Sequence, residues 1–258
     1  MDEQDPARHP FLRLQRVFGQ ALPNVSDCIA PADTMFAGRA DSYHLVGMPA
    51  WRCITASLLV AGVPEPRRIL DLPCGHGRVL RVLQRGFPGA EFTACDLDRD
   101  GVDFCAREFG AQPVYSTTDL GSLHFDRQFD LVWCGSLVTH LDVKGWFATF
   151  QCFLRALRPD GVAIVTFHRR WVAYLLAQGL RYGLSEASVR RVLDAYSRDG
   201  FGYADYDWQP GYGVSVCSPA WVLRELHTWQ GLRVVGLTER WWDDHQDVLV
   251  VQKLPGVA

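Results

Sequence analysis

The sequence predicts an α/β fold built on a doubly wound, mostly parallel sheet, and two patterns along the chain carry this prediction. Short apolar runs alternate with segments of helical spacing, as expected for parallel strands joined by right-handed crossover helices. The first run ends at Asp71 and passes through a turn at Gly75 and Gly77 into helically spaced apolar residues. Strand, glycine turn and helix together are typical of the nucleotide-binding opening of a doubly wound domain.

The predicted elements follow a regular order up to Phe167. Strands are expected at residues 68–71, 91–96, 113–115, 129–134 and 162–167, and helices at 49–61, 77–84, 99–109 and 143–157. Beyond this point we expect helices at 171–179, 186–198 and 219–229 and strands at 214–217, 232–238 and 247–252. The last two strands are close enough in sequence to form an antiparallel hairpin at the edge of the sheet. A further short helix is expected at residues 10–22.

Composition limits the classes of function. The 258 residues carry a net charge of −3, so nothing indicates binding to nucleic acid or to an anionic membrane. No apolar segment approaches the roughly 20 residues that span a bilayer, and the first residues lack the features of a signal peptide. The eight cysteines include no C-x-x-C pair, which favours free thiols in a reducing cytoplasm and no metal site.

The residues around the glycine turn indicate the kind of nucleotide. Leu80 stands where a dinucleotide fingerprint requires its third glycine. Asp71, just before the turn, would repel a diphosphate but could hold an ammonium group. Asp96 ends the second strand, where a carboxylate can accept hydrogen bonds from both ribose hydroxyls. This set suits a cationic nucleoside without phosphate, such as S-adenosylmethionine.

With these motifs the chain resembles class I S-adenosylmethionine-dependent methyltransferases over roughly residues 54–253. The resemblance rests on residues 71–77, 119–120, 129–134 and 157–162, with Asp96 as the ribose acid; Pro73 and Cys74 depart from the usual small residue and glycine. It implies a seven-stranded Rossmann-like sheet with an antiparallel last strand. It also implies cofactor contacts at Tyr43, Asp71, Pro73, Cys74, Gly75, Gly77, Asp96, Leu97, Asp119, Leu120, Cys134, Gly135 and Ser136.

We expect two parts in the chain: an N-terminal helical cap at 1–62 and the methyltransferase domain at 63–258, with an acceptor lid inserted at 168–217. Similar enzymes close an N-terminal segment over the methionine end of the cofactor, and Tyr43 is the candidate lid residue. The alternative is a tyrosine packed on the rim of the sheet.

Three histidines are candidates for a general base. His140 follows the fourth strand, where many members of the family carry a histidine that structures the loop under the cofactor. His168 leaves the fifth strand toward the acceptor space, and His245 lies in the closing hairpin. A polar rim residue and a solvated turn are the respective alternatives. Cys74, Cys95 and Cys134 end predicted strands and are expected to be small packing residues near the cofactor.

The resemblance implies transfer of a methyl group to a small molecule. O-methylation of a hydroxyl on a sugar, a glycoside or another small metabolite is favoured, because acidic residues rather than basic ones accompany the aromatics of the insertion. N-methylation of a small amine is the second choice. A catalytically silent S-adenosylmethionine-binding protein and a nicotinamide-dependent reductase stay open as alternatives, and a homodimer is an expected assembly.

Overall fold

The protein is built around one seven-stranded sheet. The computed structural model describes residues 22–36, 38–63 and 65–256. The strands of the sheet are β1 (Arg68–Asp71), β2 (Glu91–Asp96), β3 (Gln112–Tyr115), β4 (Phe129–Cys134), β5 (Leu157–Phe167), β8 (Leu232–Trp242) and β9 (Gln246–Lys253), and a separate hairpin holds β6 (Phe201–Tyr206) and β7 (Gln209–Cys217). The sheet order is β3-β2-β1-β4-β5-β9-β8, and β9 pairs antiparallel with both of its neighbours. The predicted doubly wound sheet with an antiparallel last strand is confirmed.

Helices cover both faces of this sheet. They are α1 (Ala40–Leu45), α2 (Gly47–Ala61), α3 (Leu80–Gly86), α4 (Arg99–Phe109), α5 (Val143–Ala156), α6 (Arg170–Ala177), α7 (Glu186–Asp199) and α8 (Pro219–His227). Side chains alternate along each strand, so Trp133 of β4 packs with α2, α3 and α4, whereas Val132 packs with α5 and α8 on the other face. The buried aromatic pair Trp146 and Phe150 stacks with ring centroids 4.2 Å apart on that second face.

Helix α3 and strand β5 begin at other residues than the sequence predicts. The helix after the glycine turn begins at Leu80 instead of residue 77, because Gly77 has a left-handed φ of +73° that no α-helix contains. Strand β5 begins at Leu157, five residues earlier than expected, since Leu157 pairs with Phe129 across an irregular register. Strand β7 likewise begins five residues earlier than expected, at Gln209, β8 ends four residues later, at Trp242, and helix α1 was not predicted. The other predicted strands and helices among the described residues lie within about three residues of their expected bounds.

The insertion after β5 forms a small unit of its own. The segment before β7 shows no strand-like alternation, so β6 was not predicted; it pairs with β7 from Phe201 opposite Cys217 onward. The hairpin and helices α6 and α7 enclose a separate apolar core that includes Val172, Val192 and Val214. The backbone N–H of Cys217 donates to the carbonyl of His168 at 3.0 Å and closes the unit at its base.

Helix α2 crosses the sheet and is tied to it at both ends. Trp242 donates its indole N–H to the carbonyl of Val46 at 3.0 Å, and Gln252 donates to the carbonyl of Ala61 at 3.1 Å. The run Tyr43–Ala61 is 19 residues long and apolar enough to cross a membrane by length and composition. The prediction that no segment approaches that length is therefore wrong, although most of α2 is buried against the sheet.

Most of the predicted cap helix, residues 10–21, lies outside the described residues. The division into a cap at 1–62 and a domain at 63–258 stays a prediction.

Candidate active site

A cavity of about 800 Å³ opens at the carboxyl ends of β1, β2 and β4, where ligands bind in doubly wound sheets. Its walls come from seven parts of the chain: the glycine turn, the ends of β2 and β4, the segment after β3, the residues before α2, the β6–β7 hairpin and the end of β8. The lining residues are Asp33, Thr34, Met35, Val46, residues 71–76, Arg78, Val79, residues 96–98, residues 116–118, Leu120, Trp133, residues 135–137, His140, Leu141, residues 209–212 and Trp242.

The glycine turn forms one wall with its backbone. Gly75 donates its N–H to Asp96 Oδ2 at 2.7 Å, and it has a left-handed φ of +47° with no atom within 4 Å of the position of a Cβ. A side chain here would project into open space. At Gly77, by contrast, a Cβ would lie 2.4 Å from the ring of Phe109. The first glycine keeps space open, and the second lets the turn pack against α4.

Asp71 is a buried carboxylate with an unsatisfied oxygen. It is 1% exposed, and its Oδ1 accepts no hydrogen bond from the described residues. Burial, and to a lesser degree the nearby Asp96 carboxylate, raises the pKa of Asp71 well above its ordinary value. Because a buried ionised carboxylate without a partner is costly, this position favours a cationic group in the cavity.

Asp96 faces the cavity with its carboxylate oriented by the backbone. One oxygen accepts from Gly75 and the other accepts from the N–H of Asp98 at 3.0 Å. Each carboxylate oxygen has a second lone pair, so the group can accept further hydrogen bonds from a bound diol. Leu97, 55% exposed, and Leu120 offer apolar surface beside it.

One cationic side chain lines the same cavity as the carboxylates of Asp71 and Asp96. Among the described residues that line the cavity, Arg78 is the only lysine or arginine. Its guanidinium carbon lies 4.9 Å from the centre of the Tyr43 ring, and Nε donates to the carbonyl of Tyr43 at 3.3 Å. The rings of Trp133 and Trp242 meet edge to face with centroids 5.3 Å apart and add an apolar wall. The cavity can therefore accommodate a ligand with a cationic end, an anionic end and a ribose.

His140 connects the cavity to the inserted unit. Its ring stacks on Tyr212 with centroids 4.6 Å apart, and Nδ1 lies 2.7 Å from the carbonyl of Gly213. A carbonyl only accepts, so Nδ1 carries the proton and Nε2 is left as an acceptor. Burial lowers the pKa of His140, which keeps the imidazole neutral.

The other two candidate bases do not line the cavity. His168 is buried, its Nδ1 has no hydrogen-bond partner among the described residues, and burial together with His140 and His245 lowers its pKa to about 3. His245 stacks on Tyr182, with Nε2 3.3 Å from the tyrosine hydroxyl, and burial lowers its pKa. A catalytic role for either histidine stays a prediction.

The predicted cofactor residues divide into two groups. Those that line the cavity are Asp71, Pro73, Cys74, Gly75, Asp96, Leu97, Leu120, Gly135 and Ser136. Gly77, Asp119, Cys134 and Tyr43 are not among the lining residues. Tyr43 is buried and donates its hydroxyl proton to Asp33 Oδ2 at 2.5 Å, and Asp119 accepts from the N–H of Gly121 at 3.0 Å. Their assigned roles stay predictions.

Sequence reasoning missed several residues of the site. Arg78 adjoins the glycine motif and could have been noticed as a cation beside two carboxylates. Nothing in the sequence marks Asp33, Tyr212 or Trp242, because chain segments far apart in sequence bring them to the cavity. Gly101 of α4 is also essential to the turn, since a Cβ there would lie 2.5 Å from the carbonyl oxygen of Gly75.

All eight cysteines are free thiols, and the described part of the chain contains no group of three or more histidine, cysteine or acidic side chains arranged to hold a metal ion. Cys95 and Cys134 are fully buried in the core, whereas Cys74 borders the cavity. Burial raises the pKa of the Cys95 and Cys134 thiols.

Comparison with known proteins agrees with this geometry. Residues 69–161 match the family model described as a methyltransferase domain. The chain is 33% identical over 114 residues to YqeM of Bacillus subtilis, described as a methyltransferase, covering 42% of this chain and 45% of the relative. It is 32% identical over 108 residues to a fatty-acid O-methyltransferase of Mycolicibacterium smegmatis, covering 40% and 37%. The chain thus spans less than half the length of these relatives.

The fold is also similar to a crystal structure of an S-adenosylmethionine-dependent methyltransferase from Clostridium acetobutylicum. The similarity has a TM-score of 0.51 at 18% sequence identity, over 74% of this chain and 85% of that one. The sheet order agrees with the fold of class I S-adenosylmethionine-dependent methyltransferases, and residues 69–161 of the chain are similar to a methyltransferase domain.

Proposed function

We propose that this protein is an active methyltransferase that uses S-adenosylmethionine to methylate a small molecule. The observation that carries the proposal is the buried carboxylate of Asp71, whose Oδ1 has no partner among the described residues and which borders a cavity of about 800 Å³. A cationic amino group is the complement that such an oxygen requires. The cofactor carries that group, and when bound it supplies a methyl group on a positively charged sulfur.

The residues around the cavity fit the parts of this cofactor. Asp71 would hold the amino group, Asp96 would accept from the ribose hydroxyls, and Arg78 would face the carboxylate. Leu97 and Leu120 would border the adenine. The binding energy of these contacts orients the methyl group toward an acceptor, which accounts for a large part of the catalysis that such enzymes require.

The finer proposal is O-methylation of a hydroxyl on a sugar, a glycoside or another small metabolite. It is supported by His140, whose Nδ1 is engaged by Gly213 and whose Nε2 is free to accept a proton. A hydroxyl is a weak nucleophile that gains from a base, whereas a neutral amine needs less help. The alternative role of His140 is structural, because the same ring holds Tyr212 in place.

The walls near His140 are suited to an uncharged acceptor. Tyr212, Leu137 and Leu141 offer aromatic and aliphatic surface, and the aromatic face suits a sugar ring or another flat apolar group. We propose that the β6–β7 hairpin is the acceptor lid. We also propose that the protein acts in the reducing cytoplasm, which agrees with its eight free thiols.

The test is a transfer assay with isotope-labelled S-adenosylmethionine and pooled small molecules that carry hydroxyl or amine groups. Label in a hydroxyl compound, absent with Asp96→Ala, supports the proposal, and label in amines only would favour N-methylation. If the wild type binds the cofactor but labels nothing in any pool, the catalytically silent binding protein becomes the better description.

A further inference from the structure

Arg81 is a fully buried arginine in the first turn of α3, the helix that follows the glycine turn. It is 1% exposed. Its Nε donates to the carbonyl of Gly77 at 3.0 Å, and Nη2 donates to the carbonyl of His76 at 3.3 Å. Nη1 donates to the carbonyls of Ser26 and Cys28 at 3.0 and 2.8 Å. One guanidinium thus joins the glycine turn to the N-terminal segment, a name used below for residues 26–36 and 38–43.

The last donor of Arg81 connects this segment at a second point. Nη2 lies 3.5 Å from the hydroxyl of Tyr43, and the guanidinium carbon is 5.4 Å from the ring centres of both Tyr43 and Phe109. All five N–H donors of the side chain are therefore engaged. None of the ion pairs among the described residues includes Arg81, so carbonyl oxygens and aromatic faces balance its charge.

The N-terminal segment carries this connection to the cavity. Tyr43 donates to Asp33 Oδ2 at 2.5 Å, and Asp33 Oδ1 accepts from the N–H of Met35 at 2.8 Å. Asp33 and Met35 both line the cavity, as do residues of the glycine turn, to which Arg81 is hydrogen-bonded. His76 of the glycine turn also lies close to the N-terminal segment, with its Nδ1 3.7 Å from Asp33 Oδ1. The glycine turn and the N-terminal segment, which form two walls of the cavity, are therefore both bonded to the side chain of Arg81.

We propose that Arg81 is a positioning residue that fastens the N-terminal segment to the glycine turn and thereby sets the shape of the cofactor cavity. The proposal rests on the proposed function, because it concerns the same cavity. A planar fork is required at this position: lysine has one nitrogen and cannot reach carbonyls on both sides at once. Helix α3, which carries Arg81, thus contributes both to the shape of the cavity and to the core.

The test measures local opening and ligand binding on the full-length protein. Arg81→Met is compared with Arg85→Met, an exposed position on the same helix, and with Tyr43→Phe, which removes only one hydroxyl. Hydrogen exchange is followed at the amides of Met35 and Tyr43 and, as an internal reference, at Ile164 in the centre of the sheet. Titration calorimetry with S-adenosylhomocysteine measures affinity.

We expect Arg81→Met to speed exchange at Met35 and Tyr43 by about tenfold or more while Ile164 stays protected, and to weaken S-adenosylhomocysteine binding by about tenfold. Tyr43→Phe should act in the same direction by roughly threefold, and Arg85→Met should change neither quantity. Tyr43→Phe carries the test if Arg81→Met does not fold.

Three results would overturn the proposal, and the first two are unchanged exchange at Met35 and Tyr43, or faster exchange there with unaltered affinity. Equal loss of protection at Ile164 would also overturn it, because Arg81 would then support the fold as a whole. If the wild type itself does not bind S-adenosylhomocysteine, the proposed function fails, and the exchange comparison still decides whether Arg81 fastens the segment.

Discussion

Asp71 is the residue on which the chemistry of the site depends most directly. Its carboxylate is buried at the end of β1 with one oxygen unsatisfied, and the neighbouring Asp96 raises its pKa further. In the free protein this arrangement is unfavourable, and a bound cation relieves it. Strain of this kind is often retained where a ligand supplies the missing partner.

Asp71→Asn should separate affinity from stability. The amide keeps the shape but removes the charge, so S-adenosylhomocysteine binding should weaken by about 2 kcal/mol, roughly thirtyfold in Kd. The unfolding midpoint of the free protein at neutral pH should stay equal or rise, because a costly buried charge is gone. Calorimetry and thermal unfolding of the same preparation check both. A variant that binds normally would remove Asp71 from the site.

The raised pKa of Asp71 also predicts a pH dependence with a definite sign. The folded protein holds this proton to higher pH than the unfolded chain does, so the Asp71 contribution to stability falls as pH rises from about 4 toward the raised pKa. Affinity for the cationic cofactor should rise over the same range. Unfolding and titration at several pH values check this, with Asp71→Asn as the flat control. Affinity that falls with rising pH below neutrality would contradict it.

At the scale of elements, the turn between β1 and α3 shows what sequence could and could not predict. The pattern of strand, glycines and helix was sufficient to place the turn and to distinguish the cofactor from a dinucleotide. It did not indicate that Gly77 packs against Phe109 or that Gly101 admits the turn. These contacts join residues that are far apart in the sequence, so the propensities of neighbouring residues do not predict them. Gly75 and Gly77 consequently have different functions: Gly75 keeps space open beside the turn, and Gly77 allows the turn to contact Phe109.

Substitutions at the two glycines should therefore have different effects. Gly77→Ala places a methyl group 2.4 Å from the Phe109 ring at a left-handed φ, so it should destabilise the protein by about 1–3 kcal/mol. Gly75→Val points into open space and should abolish cofactor binding, with a smaller loss of stability from its own strained φ. Urea unfolding and calorimetry measure the two effects. The assignment fails if the pattern is reversed.

The inserted unit shows the limit of sequence reasoning at the same scale. The core of this unit consists of aliphatic side chains, including Val172, Val192 and Val214, and Tyr206 is partly buried against it. The strand β6 was not predicted, because the alternation of Phe201 and Tyr203 with small residues covers only a few positions before Asp205 and Tyr206 end it. Consequently the stacking of Tyr212 on His140, which joins the inserted unit to the wall of the cavity, could not be predicted.

At the scale of the whole molecule, the sheet was predictable because β1, β2, β4 and β5 carry apolar runs and most of the crossovers contain a helix. The exception is the connection from β3 to β4, which contains only the 3₁₀ turn Leu120–Ser122. The closing hairpin followed from the short connection between β8 and β9. The cavity walls were only partly predictable. Residues directly at strand ends, such as Asp71 and Asp96, were identified, whereas Asp33, Arg81 and Trp242 reach the site through tertiary packing.

The most direct test of the central claim compares S-adenosylmethionine, S-adenosylhomocysteine and NADH by thermal shift and calorimetry on the wild-type protein. A ligand at 100 times its Kd adds about 2.7 kcal/mol to the free energy of unfolding, a shift easily measured in a chain of this size. We predict stabilisation by the two adenosyl compounds and none by NADH. Stabilisation by NADH alone would contradict the account, as would no response to either adenosyl compound.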